Sequence, residues 1–440
     1  MPSGEAAVHP QTLGLAEAAA AVRAGRLTSG ALLDACLAQI DAVEPRVKAW
    51  VHVDAPSARA TAAERDAEAR AGRVRGPLHG VPVGAKDIID VAGMPTTGGA
   101  RPWAHTRPGL DATCVARLRA ASAVVLGKTH TTQFAYRDPA PTANPWNADH
   151  TPGGSSSGSA AAVAARMVPL ALGSQTVGSV LRPAAFCGVV GYKGTYGLVP
   201  VDGVIPLAWS FDHVGVLTRS VADAALGFGV LTGAGYAATP PARPPRLALA
   251  PELLARAEPA NAAQIQAIAT ALAAAGASVT EVKLPAVFAD LHAAGQVVVE
   301  SEAAAYHEPS FRQHADEFWP GIRAGVASGL GHPAPAYVRA NRTRLAFREE
   351  VMPILAAHDA LLSPTAPGVA PRGLGWTGDA SFCAPWSWSG TPSISLPSGV
   401  APSGLPTAVQ LTAAAGGDAS LFAVAAWCER VLAFSAAPGL

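Results

Sequence analysis

Apolar positions in this chain follow two spacings, and the switches between them outline its elements. Over 13–42 apolar residues recur at helical spacing, with Thr12 and Ser29 as candidate N-caps and Gly25 as the stop. The Ala/Glu/Arg-rich stretch 55–71 predicts another helix, and these segments make 1–70 an N-terminal helical region. Short apolar runs at 80–84 and 123–126 read as buried strands, with a helix over 111–121 between them. The run 159–166 predicts a helix of small residues, which permits close backbone packing. Further strands are expected at 189–191 and 214–218, then at 246–250 and 277–284 around an Ala-rich helix. Strands alternating with helices predict an α/β layered fold. The Pro-rich stretch 236–246, YAATPPARPPR, would suit either a domain linker or a surface crossover. We favour the crossover and expect one domain over 1–440.

Composition narrows the class. Half of the 440 residues are apolar and only 15% are charged, enough to build a large core. Formal net charge is zero, so no basic face is implied and neither nucleic acid nor an anionic membrane is an expected partner. The five cysteines are scattered without C-x-x-C pairing, which argues against a disulfide scaffold or zinc site and fits a reducing cytoplasm. The first residues lack the basic start and apolar run of a signal peptide, and no uninterrupted apolar stretch is long enough to span a bilayer. The 12 histidines show no metal-binding spacing, and no phosphate-binding G-x-x-x-x-G-K-[ST] is completed. No metal or cofactor is expected.

The chemistry concentrates in TPGGSSSGSAAAVAARMVPLALGSQTVGSVLRP and in the upstream GPLHGVPVGAKD. Ser155 and Ser179 both sit in glycine-rich settings, and Lys86 ends an apolar, glycine-spaced run. A serine needs a base to become a nucleophile, and a buried lysine can be that base once it loses its proton. Ser179 is the candidate nucleophile, because the GSQTVG turn before it can aim backbone N–H groups at a developing oxyanion. Ser155 would relay the proton to Lys86. If so, activity falls as pH drops below the lowered pKa of Lys86. A competing pattern, Gly154-Ser155-Ser156-Ser157-Gly158, formally matches the G-x-S-x-G elbow and would make Ser156 the nucleophile. That motif follows a buried strand, whereas NPWNADHTPG is polar and turn-like, and the histidine it requires, His213 or His292, has no supporting context.

Ordered blocks along most of the chain resemble the amidase signature family of Ser-Ser-Lys amide hydrolases, particularly its shorter bacterial members. They are GPLHGVPVGAKD at 76–87, LGKTHTTQFAY at 126–136, NPWN at 144–147, the serine block, GVIPLAWSFDHVGVLTRSVADAA at 203–225, LLSPTAP at 361–367 and GTPSISLP at 390–397. The resemblance implies a three-layer α/β/α fold with a central mixed sheet. It implies catalysis by Lys86, Ser155 and Ser179, an oxyanion hole from the amides of Thr176, Val177, Gly178 and Ser179, and a cis peptide at Gly154–Ser155. It leaves oligomeric state open, with a homodimer in keeping with the family.

Departures from the commonest family pattern are Gln133 for Glu, Gln175 for Asp, Val177 for Gly, and Leu181 where arginine is frequent, with Arg182 one place later. Arg182 could grip a substrate carboxylate or tie down loop carbonyls, and the second reading is favoured. Trp376, Phe382, Trp386 and Trp388 could line an apolar pocket or belong to the core. Asp212 and Arg219 read as structural. Residues 285–340 are the least family-like and are expected at the substrate entrance. The implied activity is hydrolysis of small, aryl or hydrophobic amides, extending to carbamates (urethanes). Malonamate-like amides and biuret-like ureas are alternatives, as is a glutamine amidotransferase subunit working on charged tRNA with partner chains.

Overall fold

The computed structural model describes residues 9–440. Residues 1–8, and with them the start of the stretch read for a signal peptide, lie outside the described residues. Eleven strands form one mixed sheet: β1 (Trp50–Val53), β2 (Pro82–Lys86), β3 (Val124–Thr129), β4 (Leu170–Gln175), β5 (Val190–Lys193), β6 (His213–Thr218), β7 (Arg246–Leu249), β8 (Ser278–Glu281), β9 (Ala360–Pro364), β10 (Ser393–Val400) and β11 (Pro406–Thr412). Their spatial order is β1-β3-β2-β4-β6-β5-β10-β11-β9-β7-β8. β2 is parallel to both β3 and β4, β7 is parallel to β8 and β9, and the remaining pairs are antiparallel.

Side chains alternate across a strand, so a central strand buried on both faces reads as continuously apolar. Leu170, Leu172 and Val216 pack into a core with the helices Leu15–Arg23, Val221–Thr232 and Asp418–Leu432. Ala171 and Leu217 face the other way, against Ser157–Ala164 and Leu181–Cys187. Helices thus cover both faces, the expected α/β/α layering. A third apolar cluster joins Phe288–His314, Pro320–Gly331 and Ala334–Ala356 to Trp386 and Trp388. No helix among the described residues is long and apolar enough to cross a membrane.

Several boundaries move. The stop expected at Gly25 holds, its φ of 68° separating the helices Leu15–Arg23 and Ser29–Val47, and the second runs past residue 42. The caps differ from those expected: Gly14 and Thr28 precede these helices, and the Thr28 hydroxyl accepts from Ala31 N. Ser29 instead donates its hydroxyl to Gly80 O at 2.7 Å. The Pro-rich stretch leads directly into β7, a strand of the same sheet.

Candidate active site

Lys86 is the last residue of β2, the middle strand of the parallel trio β3-β2-β4, and is fully buried. Its Nζ donates to Ser155 Oγ at 2.7 Å and to Ser174 Oγ at 2.8 Å. Burial drives its pKa well below the ordinary lysine value, with Arg182 pushing the same way and Asp212 opposing. With the amine neutral, a proton in the first bond can run from serine to lysine. Ser155 follows a cis Gly154–Ser155 peptide and sits just ahead of the helix Ser157–Ala164. Ser174 is a partner that sequence reasoning misses. No local signal marks it, since the period of two along β4 puts Ser174 on the face of Leu172, which pairs with Ala85 and not with Lys86.

Ser179 lies in the loop between β4 and the helix Leu181–Cys187. Four carbonyls at this loop are held. His213 Nδ1 donates to Gln175 O at 3.2 Å, Ser387 Oγ to Val177 O at 2.8 Å, Arg182 N to Gly178 O at 2.9 Å and Ser156 N to Ser179 O at 3.2 Å. In a trans peptide the C=O and the next N–H point opposite ways. Anchoring these oxygens therefore turns the N–H groups of Thr176, Gly178 and Ser179 to the other side. Among the described residues, the N–H groups of Thr176, Val177, Gly178 and Ser179 find no acceptor, whereas those of Val180 and Leu181 donate to Gln175 Oε1 at 2.8 and 3.0 Å. No hydrogen bond joins Ser155 Oγ to Ser179 Oγ. Catalytic hydrogen bonds commonly tighten only around bound substrate.

Ser179 opens onto a cavity of about 310 Å³ whose wall also includes Val177, Arg182, Trp376 and Trp388. The long helix Phe288–His314 adds His292, Gln296 and Val299, and the loops around Tyr136 and Gly378 add Arg137 and Asp379. Two expected pocket residues do not reach it. Trp386 is fully buried against Phe347, and Phe382 is buried in the same region with its carbonyl accepting from Gln410. At about 100° per residue, Trp386 and Trp388 fall on opposite faces of the short helix Ala384–Trp388, so only one can face the cavity. Trp376, 57% exposed, stands at the rim.

Arg182 lines the cavity, yet its guanidinium is engaged with loop carbonyls. Nε and Nη2 donate to Gly154 O at 3.1 and 2.7 Å, and Nη1 donates to Gly378 O. This favours the loop-tying reading. Asp212 likewise serves the scaffold, accepting from Thr176 Oγ1 at 2.5 Å, and Arg219 donates to Val163 O and Val168 O at 3.4 and 3.1 Å and to Leu13 O. Gln133 receives Trp319 N at 2.6 Å and donates to Glu317 O at 3.0 Å, tethering the turn before the helix Pro320–Gly331. The competing nucleophile Ser156 is fully buried outside the cavity wall, with its Oγ donating to Ser174 O and accepting from Ser174 N. The segment before it carries only turns, bends and isolated bridges at Asn144, Asn147 and His150, not the strand an elbow requires.

The sequence profile of the amidase family matches residues 31–422. The A-type component of the glutamyl-tRNA(Gln) amidotransferase of Roseiflexus castenholzii is 34% identical, covering 95% of this chain and 96% of the relative. Among solved structures, the peptide amidase of Stenotrophomonas maltophilia is 33% identical over 97% of this chain and 98% of its own, with a TM-score of 0.84. A 6-aminohexanoate cyclic dimer hydrolase is 26% identical over 98% of this chain and 99% of its own, with a TM-score of 0.86. Matched in profile over most of its length and in sequence nearly end to end, this chain belongs to the amidase family.

Proposed function

We propose that this protein hydrolyses the C–N bond of small, aryl or otherwise hydrophobic amides through an acyl-enzyme on Ser179. The observation that carries the reading is a fully buried Lys86 bonded to Ser155, beside a loop that presents unpaired N–H groups around Ser179. Ser179 Oγ attacks the substrate carbonyl carbon as its proton passes to Ser155 and that of Ser155 passes to Lys86. The amides of Thr176, Val177, Gly178 and Ser179 receive the charge that develops on the carbonyl oxygen. The proton returns through Ser155 to the leaving nitrogen, the C–N bond breaks and the amine departs. Water then attacks the ester by the same relay and frees Ser179.

Trp376, Trp388, Val177 and Val299 favour an apolar or aromatic substrate portion. A carbamate offers the same planar carbonyl beside nitrogen, so urethane cleavage is a natural extension. For a malonamate-like substrate Arg137, on the cavity wall, is a better carboxylate partner than Arg182, whose fork is engaged. A second reading is an amidotransferase subunit fed by glutamine and completed by partner chains. The names of the curated relatives favour it, and so does the presence of both Arg137 and Asp379 on the wall, which would suit an α-carboxylate and an α-ammonium group. Among stand-alone forms, a homodimer fits the family.

The test is hydrolysis of an aryl acetanilide, an aliphatic amide, a malonamate, biuret, an aryl carbamate and glutamine by wild type and Ser179→Ala. We expect turnover of the aryl members that is lost in the variant. Turnover of glutamine alone, with stoichiometric partners co-purifying, would move the function to the second reading. Activity that survives Ser179→Ala would remove the proposed nucleophile.

A further inference from the structure

Gln175 stands where many family members carry a carboxylate, and the proposed reaction leaves it without a role. It is fully buried at the end of β4, and every polar atom of its amide is engaged. Oε1 accepts from the N–H groups of Val180 and Leu181. Nε2 donates to Ser387 Oγ at 2.9 Å. Ser387, in the short helix Ala384–Trp388 on the far side of the loop, donates its own proton to Val177 O at 2.8 Å. A carboxylate at position 175 could accept from both loop amides, but it has no proton to give Ser387.

The direction of these bonds matters. Because Gln175 gives a proton to Ser387, the serine hydroxyl is an acceptor there and is free to donate to Val177 O. That carbonyl shares a peptide plane with Gly178 N–H. Holding the oxygen from behind fixes the N–H in the opposite direction, toward the side on which Ser179 meets the cavity. We propose that Gln175 and Ser387 are positioning residues for this loop, a two-part clamp that orients the Gly178 N–H as an oxyanion donor. Neither touches the reacting atoms. The clamp rests on the reading of Ser179 as nucleophile and of its loop as the oxyanion hole.

Two substitutions probe it from opposite ends. Ser387→Ala deletes the donor to Val177 O. Gln175→Glu is nearly isosteric and keeps an acceptor for Val180 and Leu181, but as a carboxylate it draws the Ser387 proton away from Val177 O. Labelling of Ser179 by an aryl fluorophosphonate develops charge on the phosphoryl oxygen and reads the same donors. Each variant is expected to lose on the order of 10- to 100-fold in labelling rate and in kcat on the best amide, less than full loss of one oxyanion donor. KM should change less than about twofold, because the missing interaction belongs to the transition state. The double variant should lose no more than the worse single one, since both act through one hydroxyl. Thermal unfolding in parallel separates misfolding from misorientation. Labelling and kcat at wild-type level in either well-folded variant would overturn the clamp while leaving Ser179 in place. A wild type that is neither labelled nor active on any amide would overturn the underlying reading and the clamp with it.

Discussion

Asp212 accepts from the Thr176 hydroxyl at 2.5 Å and from the N–H groups of Leu207 and Ala208 at 2.9 and 3.1 Å. Despite these bonds, burial pushes its pKa up from 3.8 to about 7. A carboxyl held protonated by the fold adds stability below its ordinary pKa and loses it as pH rises through the shifted value. Between those limits the unfolded chain has released a proton that the folded chain keeps. Relative to Asp212→Asn, which cannot titrate, the wild type should lose stability on the order of 4 kcal/mol between about pH 4 and pH 8. Melting curves of both across that range would test this, and a constant difference would rule it out. Lys86 follows the reverse sign, since burial lowers its pKa and acid returns its proton. The rate, kcat/KM, should therefore fall on the acid side. Asp212 opposes the shift of Lys86 only as an ionised carboxylate, and its own pKa is pushed up to about 7, so Asp212→Asn should move to lower pH only an acid limb that lies above about pH 7. A limb above about pH 7 that stays in place in Asp212→Asn would show that the two groups do not interact. Lys86, Ser155 and Ser179 are legible in sequence because each sits in a distinctive local block. Ser387 is not, since its link to Gln175 spans 212 positions and no local pattern marks it.

At the scale of elements, the helix Ser157–Ala164 shows why small residues flank Ser155. It is buried along its whole length, against β3 and β4 and beneath the turn after β3. Gly158 donates to His130 O at 3.0 Å, and a Cβ there would collide with Ala49 O and His130 N, both backbone atoms. Gly158→Ala should destabilise by about 1–3 kcal/mol or more, the usual range for overpacking against groups that cannot move aside. Gly331→Ala, where an added Cβ meets open space, is the control. Equal urea midpoints for the two variants would refute the argument. This helix is readable from its run of alanines, and β6 from its compact apolar pattern. β4 escapes because LALGSQ mixes alanine, glycine and polar residues. What makes it a strand is pairing with β2 and β6 on either side, which is tertiary information. The aromatic cluster near 382–388 is visible as composition, but helical phase sorts it, sending Trp388 to the cavity and Trp386 to the core.

Across the whole molecule, alternation of strands and helices is enough for the α/β class, while strand order is not readable. The order carries a further consequence. β10 and β11 come from near the end of the chain, yet they sit between β5 and β9. During synthesis, the amino-terminal half can assemble β1 through β6 as soon as it leaves the ribosome. Its β5 edge then stays open until Ser393–Thr412 has emerged, because Ser393, Ile394 and Ser395 are the residues that pair with it. A bare strand edge is a template for pairing with other chains. Nascent or truncated forms ending before the β10–β11 hairpin therefore carry a sticky margin that the finished protein hides at its centre, and a hairpin translated long after β5 is the one that seals the sheet.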